Sequence, residues 1–195
     1  MSLKSILAAT AALLLASGSA LAGAIPYPDA GQLNTAVYSF SAASTGELVV
    51  YFYAQSAGNS ETIGVRVNGS DWPNTGLENH SSSYGESFDF GHVTAGDSVV
   101  FFIDEGGAKF YSDASLNSDG VQHAYATSWA GDGTIPAGTY VGFEDLAGGG
   151  DRDYNDTEFV FSNVVPTSTI PEPADVALLL CGLSMLTVVA RRGRD

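Results

Sequence analysis

Between Gly23 and Ser168 no stretch keeps a helical period. Apolar residues come instead in short runs rich in β-branched and aromatic types, bounded by Gly, Asn, Asp and Ser. The pattern predicts strands over residues 35–40, 47–54, 62–67, 87–90, 98–104, 109–112, 121–128, 139–144 and 158–164. In TIGVRV, Ile63, Val65 and Val67 fall on one face while Gly64 and Arg66 fall on the other, the alternation of a strand buried on one side. VVYFY (49–53) and SVVFFI (98–103) are apolar on both faces, so they read as central strands covered on both sides. Eight or nine short strands at this spacing predict an all-β domain, an antiparallel β-sandwich or jelly roll. About 145 residues are enough to bury a real core. No internal repeat stands out.

Hydrophobicity also gathers at both ends, with a different pattern. Residues 1–22 read as a signal peptide: Lys4 supplies the charge, ILAATAALLLA (6–16) the apolar stretch, and Ala20-Leu21-Ala22 the small-x-small site for signal peptidase. At the other end, 169–173 form a Pro-containing linker, 174–190 an apolar segment, and 191–195 a basic tail. As a helix, that segment would reach about 25 Å, enough to cross a thin bilayer. Arg191, Arg192 and Arg194 would stay cytoplasmic, which places residues 23–168 on the far side of the membrane.

Pro171-Glu172-Pro173, an apolar helix and the cluster with Arg191 and Arg192 occur in that order at the C-terminus. Together they resemble the PEP-CTERM sorting signal. The resemblance implies a protein exported across the inner membrane of a Gram-negative bacterium and held transiently by its C-terminal helix. An exosortase would then process it for the outer surface or the extracellular space, in association with exopolysaccharide.

The chain has 22 acidic and 7 basic residues among 195, a net charge of −15. Three acids, Glu172, Asp175 and Asp195, lie outside residues 23–168. Inside, 19 acids face only Arg66, Lys109 and Arg152, for a charge of −16. The exported domain thus lacks the basic footprint that nucleic-acid binding needs, and its surface would collect cations. Cys181 is the only cysteine, so no intrachain disulfide can form.

The acidity concentrates in GFEDLAGGGDRDYNDTEFVF (142–161). Asp151, Asp153, Asn155 and Asp156 space oxygen ligands along a tight loop after Glu144 and Asp145, and Gly148–Gly150 would let backbone carbonyls turn inward. Calcium takes six to eight oxygens of this kind. The loop departs from an EF-hand, with Asp156 at the sixth position and Ser162 at the twelfth. Histidine and cysteine are absent from it, which disfavours transition metals. A purely structural turn is the competing reading, because Asp and Asn cap turns and Gly supplies positive φ. Yet the carboxylates repel one another, and Arg152 alone offsets little. Catalysis is the weakest reading. A hydrolase would need a definable carboxylate pair, and no GxSxG, P-loop or HExxH motif occurs.

FYSDASLNSDGVQHAYA followed by VGFEDLAGGGDRDYNDTEFVFS (within 110–162) resembles a widespread bacterial β domain of uncharacterised function, often found in PEP-CTERM proteins. The match singles out Glu144, Asp145, Asp151, Asp153, Asn155 and Asp156, with Asn117, Asp119 and His123 upstream. Thr157-Glu158 stands where the resemblance leads one to expect a more apolar pair. The resemblance implies a β fold and supplies no mechanism, since no enzymatic activity is established for that family. Asp119-Gly120 reads either as a hairpin turn leading to a strand His123, or as a neighbouring loop that completes the acidic site. Trp72 and Trp129 could stack on sugar rings, which keeps a carbohydrate-binding module open, or could anchor their loops to the core.

Overall fold

A computed structural model describes residues 25–73 and 76–167. The predicted signal peptide, linker, apolar helix and basic tail lie outside the described residues. Among these, no helix is long and apolar enough to cross a membrane.

The strands are β1 (Phe40–Ala42), β2 (Gly46–Gln55), β3 (Thr62–Val67), β4 (Ser70–Asp71), β5 (Ser87–Val93), β6 (Ser98–Glu105), β7 (Ala108–Tyr111), β8 (Ala124–Trp129), β9 (Gly138–Phe143), β10 (Thr157–Phe161) and β11 (Val164–Pro166). They form two antiparallel sheets. One runs β11-β1-β6-β3-β4, with β7 also paired to β6; the other runs β5-β2-β10-β9-β8. The expected all-β sandwich is therefore present.

Alternation along the strands explains how the sheets meet. Ile63, Val65 and Val67 of β3 and Phe101 and Ile103 of β6 face Leu48, Val50 and Phe52 of β2 and Phe159 and Phe161 of β10 in one buried core. The rings of Phe101 and Phe161 stack across the two sheets at 3.8 Å. The second sheet is covered on its outer face too. There Tyr53, Tyr140 and Val160 pack with Ile135, which explains why VVYFY is apolar on both sides. On β6, the outward Phe102 lies over its cross-strand partner Gly64 and beneath the Lys109 ammonium. Lys109 and Arg66 both pair with Asp71 on this outer face, far in the sequence from the acidic loop.

Several strand ends differ from the sequence pattern, and three differences have a local reason. Residues 35–39 are not a strand, because side chains replace the ladder there: the Asn34 amide reaches Tyr38 Oη and the Ala124 carbonyl, and the Ala126 N–H reaches Tyr38 Oη. Strand 121–128 begins only at Ala124, since Gln122 and His123 bond through their side chains. The run 158–164 breaks at Asn163, whose φ of 61° ends β10 and sends β11 across to pair with β1 in the opposite sheet.

Candidate metal centre

β9 and β10 are antiparallel neighbours, with Phe143 opposite Thr157, so residues 144–156 form the loop that joins them at one end of the sandwich. Glu144 is the first residue past β9. Its backbone is clamped to His123, with Glu144 N–H donating to the His123 carbonyl at 2.9 Å and His123 Nδ1 lying 3.1 Å from the Glu144 carbonyl.

The loop then curls around the Glu144 side chain. Gly148, Gly149 and Gly150 have φ of 82°, 82° and 44°, and Arg152 and Tyr154 follow at 65° and 56°. Left-handed residues interleaved with ordinary ones turn successive N–H groups toward one point, the geometry of an anion-holding backbone nest. The anion here is internal. Tyr154 N–H donates to Glu144 Oε1 at 2.6 Å, and the Arg152 and Asp153 amides also favour the ionised carboxylate. Gly150 is required at closest approach, because a Cβ there would collide with Glu144 Oε2. Tyr154 pins the loop by its far end. Its hydroxyl donates to the Gln122 carbonyl at 3.1 Å and accepts the Asn34 N–H at 2.8 Å, and its ring meets Tyr27 edge-on.

Glu144 is fully buried, and its Oε2 has no hydrogen-bond partner. Burial pushes its carboxyl above the ordinary range despite the amides. Asp151, exposed, and Asp153, half-buried, bring carboxylate oxygens to within 4.8 Å of it and of each other. Oxygens bound to one calcium at 2.3–2.6 Å lie no more than about 5 Å apart, so these three fit a single ion. Burial, and then the neighbouring Asp151, raise the Asp153 carboxyl as well. Arg152 does not neutralise the group: it forms no ion pair among the described residues, and its Nε is buried without a partner.

The six residues predicted as ligands thus divide. Glu144, Asp151 and Asp153 converge. Asn155 orients Asp153 instead, donating to it from Nδ2 at 2.6 Å. Asp145, next to Glu144, turns to the other side, as alternation along an extended chain demands, and Asp156 bonds to its backbone. Asp145 N–H donates to Asp156 Oδ2 at 2.9 Å, and both carboxyls lie beside Glu61, which stands one residue before β3. The strand pattern missed Glu61. Its signal was parity, for stepping back by twos from Val67, Val65 and Ile63 arrives at a core-facing Glu61. The Thr157-Glu158 departure also has a place. Thr157 hydrogen-bonds Glu61, and Glu158 accepts the Tyr140 hydroxyl at 2.7 Å beneath the loop.

The upstream stretch scaffolds the loop. His123 is a buried loop residue, not a strand residue, and Asp119-Gly120 is a turn outside any hairpin. Asp119 Oδ2 accepts the Gly148 N–H at 2.8 Å and lies 3.0 Å from His123 Nε2. Partial burial opposes its ionisation, but the Gly148 and Val121 amides and His123 hold its carboxyl down at about 2. The tryptophans anchor their surroundings. Trp72 packs on the main core, and Trp129 packs edge-on against Tyr53 with its Nε1–H toward the Ile135 carbonyl at 3.4 Å.

A family model described as a domain of unknown function, DUF4114, matches residues 12–163, a span containing β1 to β10 and the whole acidic loop. Nothing matches among curated proteins or among solved structures.

Proposed function

The chain belongs to the DUF4114 family, a domain of unknown function, and from the acidic loop we propose that it is a non-enzymatic calcium-binding protein of the cell surface or extracellular matrix. The observation that carries this reading is Glu144 Oε2, buried without a donor beside Asp151 and Asp153. A hard divalent cation supplies what that oxygen lacks, and it offsets the repulsion that Arg152 leaves standing. Calcium at this point would lock the loop and give an acidic surface a bridge to acidic exopolysaccharide.

Calorimetric titration of the full-length chain tests it. Calcium should bind and raise the melting temperature, by about 2.7 kcal/mol of stabilisation at a hundredfold excess over Kd. Asp151→Asn and Asp153→Asn should each weaken binding at least tenfold. No heat and no calcium-dependent rise in Tm would reject the reading.

Sorting is part of the same proposal, supported by the order of motifs at the two ends. Signal peptidase would cut after Ala22, and an exosortase would act at Pro171-Glu172-Pro173 while the helix and Arg191-Arg192 hold the chain in the membrane. Pro171→Ala or Glu172→Ala in the native host should abolish processing. Unchanged surface display would overturn this part alone.

A further inference from the structure

We propose that Glu61, Asp145 and Asp156 form a second divalent-cation site, inside the end of the sandwich and distinct from the Glu144–Asp151–Asp153 site in the loop. The inward-facing column of β3 ends in Glu61, and that of β10 ends in Thr157, both fully buried. The apolar core therefore stops at this end in polar side chains. Every donor there serves one Glu61 oxygen: Oε2 accepts the Thr157 hydroxyl and, at 2.9 Å, the Asn79 amide. Asn79 is itself fixed, accepting the Glu61 N–H at 3.1 Å and donating to the Asn59 carbonyl at 2.9 Å. The other oxygen, Oε1, is buried with no partner, although Glu61 as a whole has no exposure.

The carboxyl against Glu61 is that of Asp145, 4% exposed, which also meets Asp156. Asp156 is held by backbone bonds on both flanks. Its N–H donates to the Phe143 carbonyl at 3.1 Å, and its carbonyl accepts the Ser56 and Ala57 N–H groups at 3.1 and 3.2 Å. Asp145 is the stronger neighbour of Glu61, and Asp156 also acts on it through space, so a bound cation would draw Glu61 and Asp156 together. Among the described residues no Lys or Arg pairs with the three: Arg66 and Lys109 pair with Asp71 on the outer face of the other sheet, and Arg152 forms no ion pair. Burial supports the same picture, pushing the Glu61 carboxyl to about 8 and the Asp156 carboxyl to about 7. Three facing carboxyls, one with an orphaned oxygen, suit a hard oxygen-seeking cation such as calcium. Because Glu144 and Asp145 are consecutive, the two ions would sit on opposite sides of one stretch of backbone.

The test is the number of ions bound by the full-length chain, read by calorimetry with calcium and by cadmium-113 NMR. The wild type should bind two equivalents and show two cadmium resonances. Glu61→Gln should remove one equivalent and one resonance, and Asp151→Asn should remove the other. A Glu61→Gln variant that still binds two equivalents with unchanged affinities overturns the second site and leaves the loop site standing. An Asp151→Asn variant that does so overturns the loop site alone. Should Glu61→Gln fail to fold, the wild type decides: a single cadmium resonance, abolished by Asp151→Asn, rejects the second site.

Discussion

Gly142→Ala should lower the stability of the domain by about 3–5 kcal/mol, a fall in Tm of roughly 6–20 °C for a chain of this size. Gly142 lies in β9 opposite Glu158, on the outer face of the second sheet. The acidic loop folds back over that face, so a Cβ on Gly142 would collide with the Tyr154 carbonyl and come within 3.2 Å of Tyr140 Oη. Neither neighbour can yield cheaply. Tyr154 is tied at its N–H to Glu144, and its hydroxyl is tied to Gln122 and Asn34. Tyr140 is fully buried and bonds Glu158. Displacing Tyr154 would also pull the nest off Glu144, so calcium affinity should fall with stability. Gly148→Ala is the control. No atom lies within 4 Å of a Cβ there, and only the φ of 82° resists, a strain of about 1–2 kcal/mol. Thermal melts of the two variants beside the wild type measure the difference. Equal losses would mean that the close approach of the loop to β9 is not what Gly142 provides.

Such contacts mark where sequence reading stops. The strands were legible because alternation and apolar runs are properties of consecutive residues: Ile63, Val65 and Val67 announce a face wherever the strand is placed. The loop was legible for the same reason, since its acids and glycines are contiguous. Which carboxylates converge was not, because it depends on left-handed turns at Arg152 and Tyr154, residue types that do not advertise positive φ. Glu61 was hidden by distance, reaching Thr157 across 96 residues and from the opposite sheet. Asp119 as a brace on Gly148 was hidden likewise, though only 29 residues away. Residues 35–39 carried a convincing strand pattern, but Asn34 and Tyr38 offered side-chain partners that pattern does not register.

In chelator, the domain should be most stable near pH 4 and should lose stability steadily up to about pH 8, with calcium reversing the trend. Burial holds the Glu158 carboxyl up at about 7, and it likewise raises Asp156 to about 7 and Glu61 to about 8. Unfolded, such groups titrate near 4. Below that pH both states carry the protons, and the stability is fully present. As pH rises through the window from about 4.5 to 8, the unfolded chain releases protons that the folded chain keeps, so the balance moves toward unfolding. Glu158 alone, fully buried and shifted from 4.5 to about 7, accounts for about 3 kcal/mol at 1.36 kcal/mol per unit. On the acid side Asp119 acts oppositely. Held at about 2, it contributes stability that is lost as pH falls from about 4 toward 2, which sets the maximum near pH 4. A cation binds the ionised carboxylates and displaces their protons, so its stabilisation grows with pH where the apo protein weakens. Melting curves from pH 4 to 8.5, in chelator and in excess calcium, should therefore diverge upward from about pH 6. Glu158→Gln should flatten the chelator curve in part and leave the gap between the two curves in place. A chelator curve that is flat or rising between pH 5 and 8 would show that these acids are not held protonated by the fold, and coincident curves would show that no cation answers them.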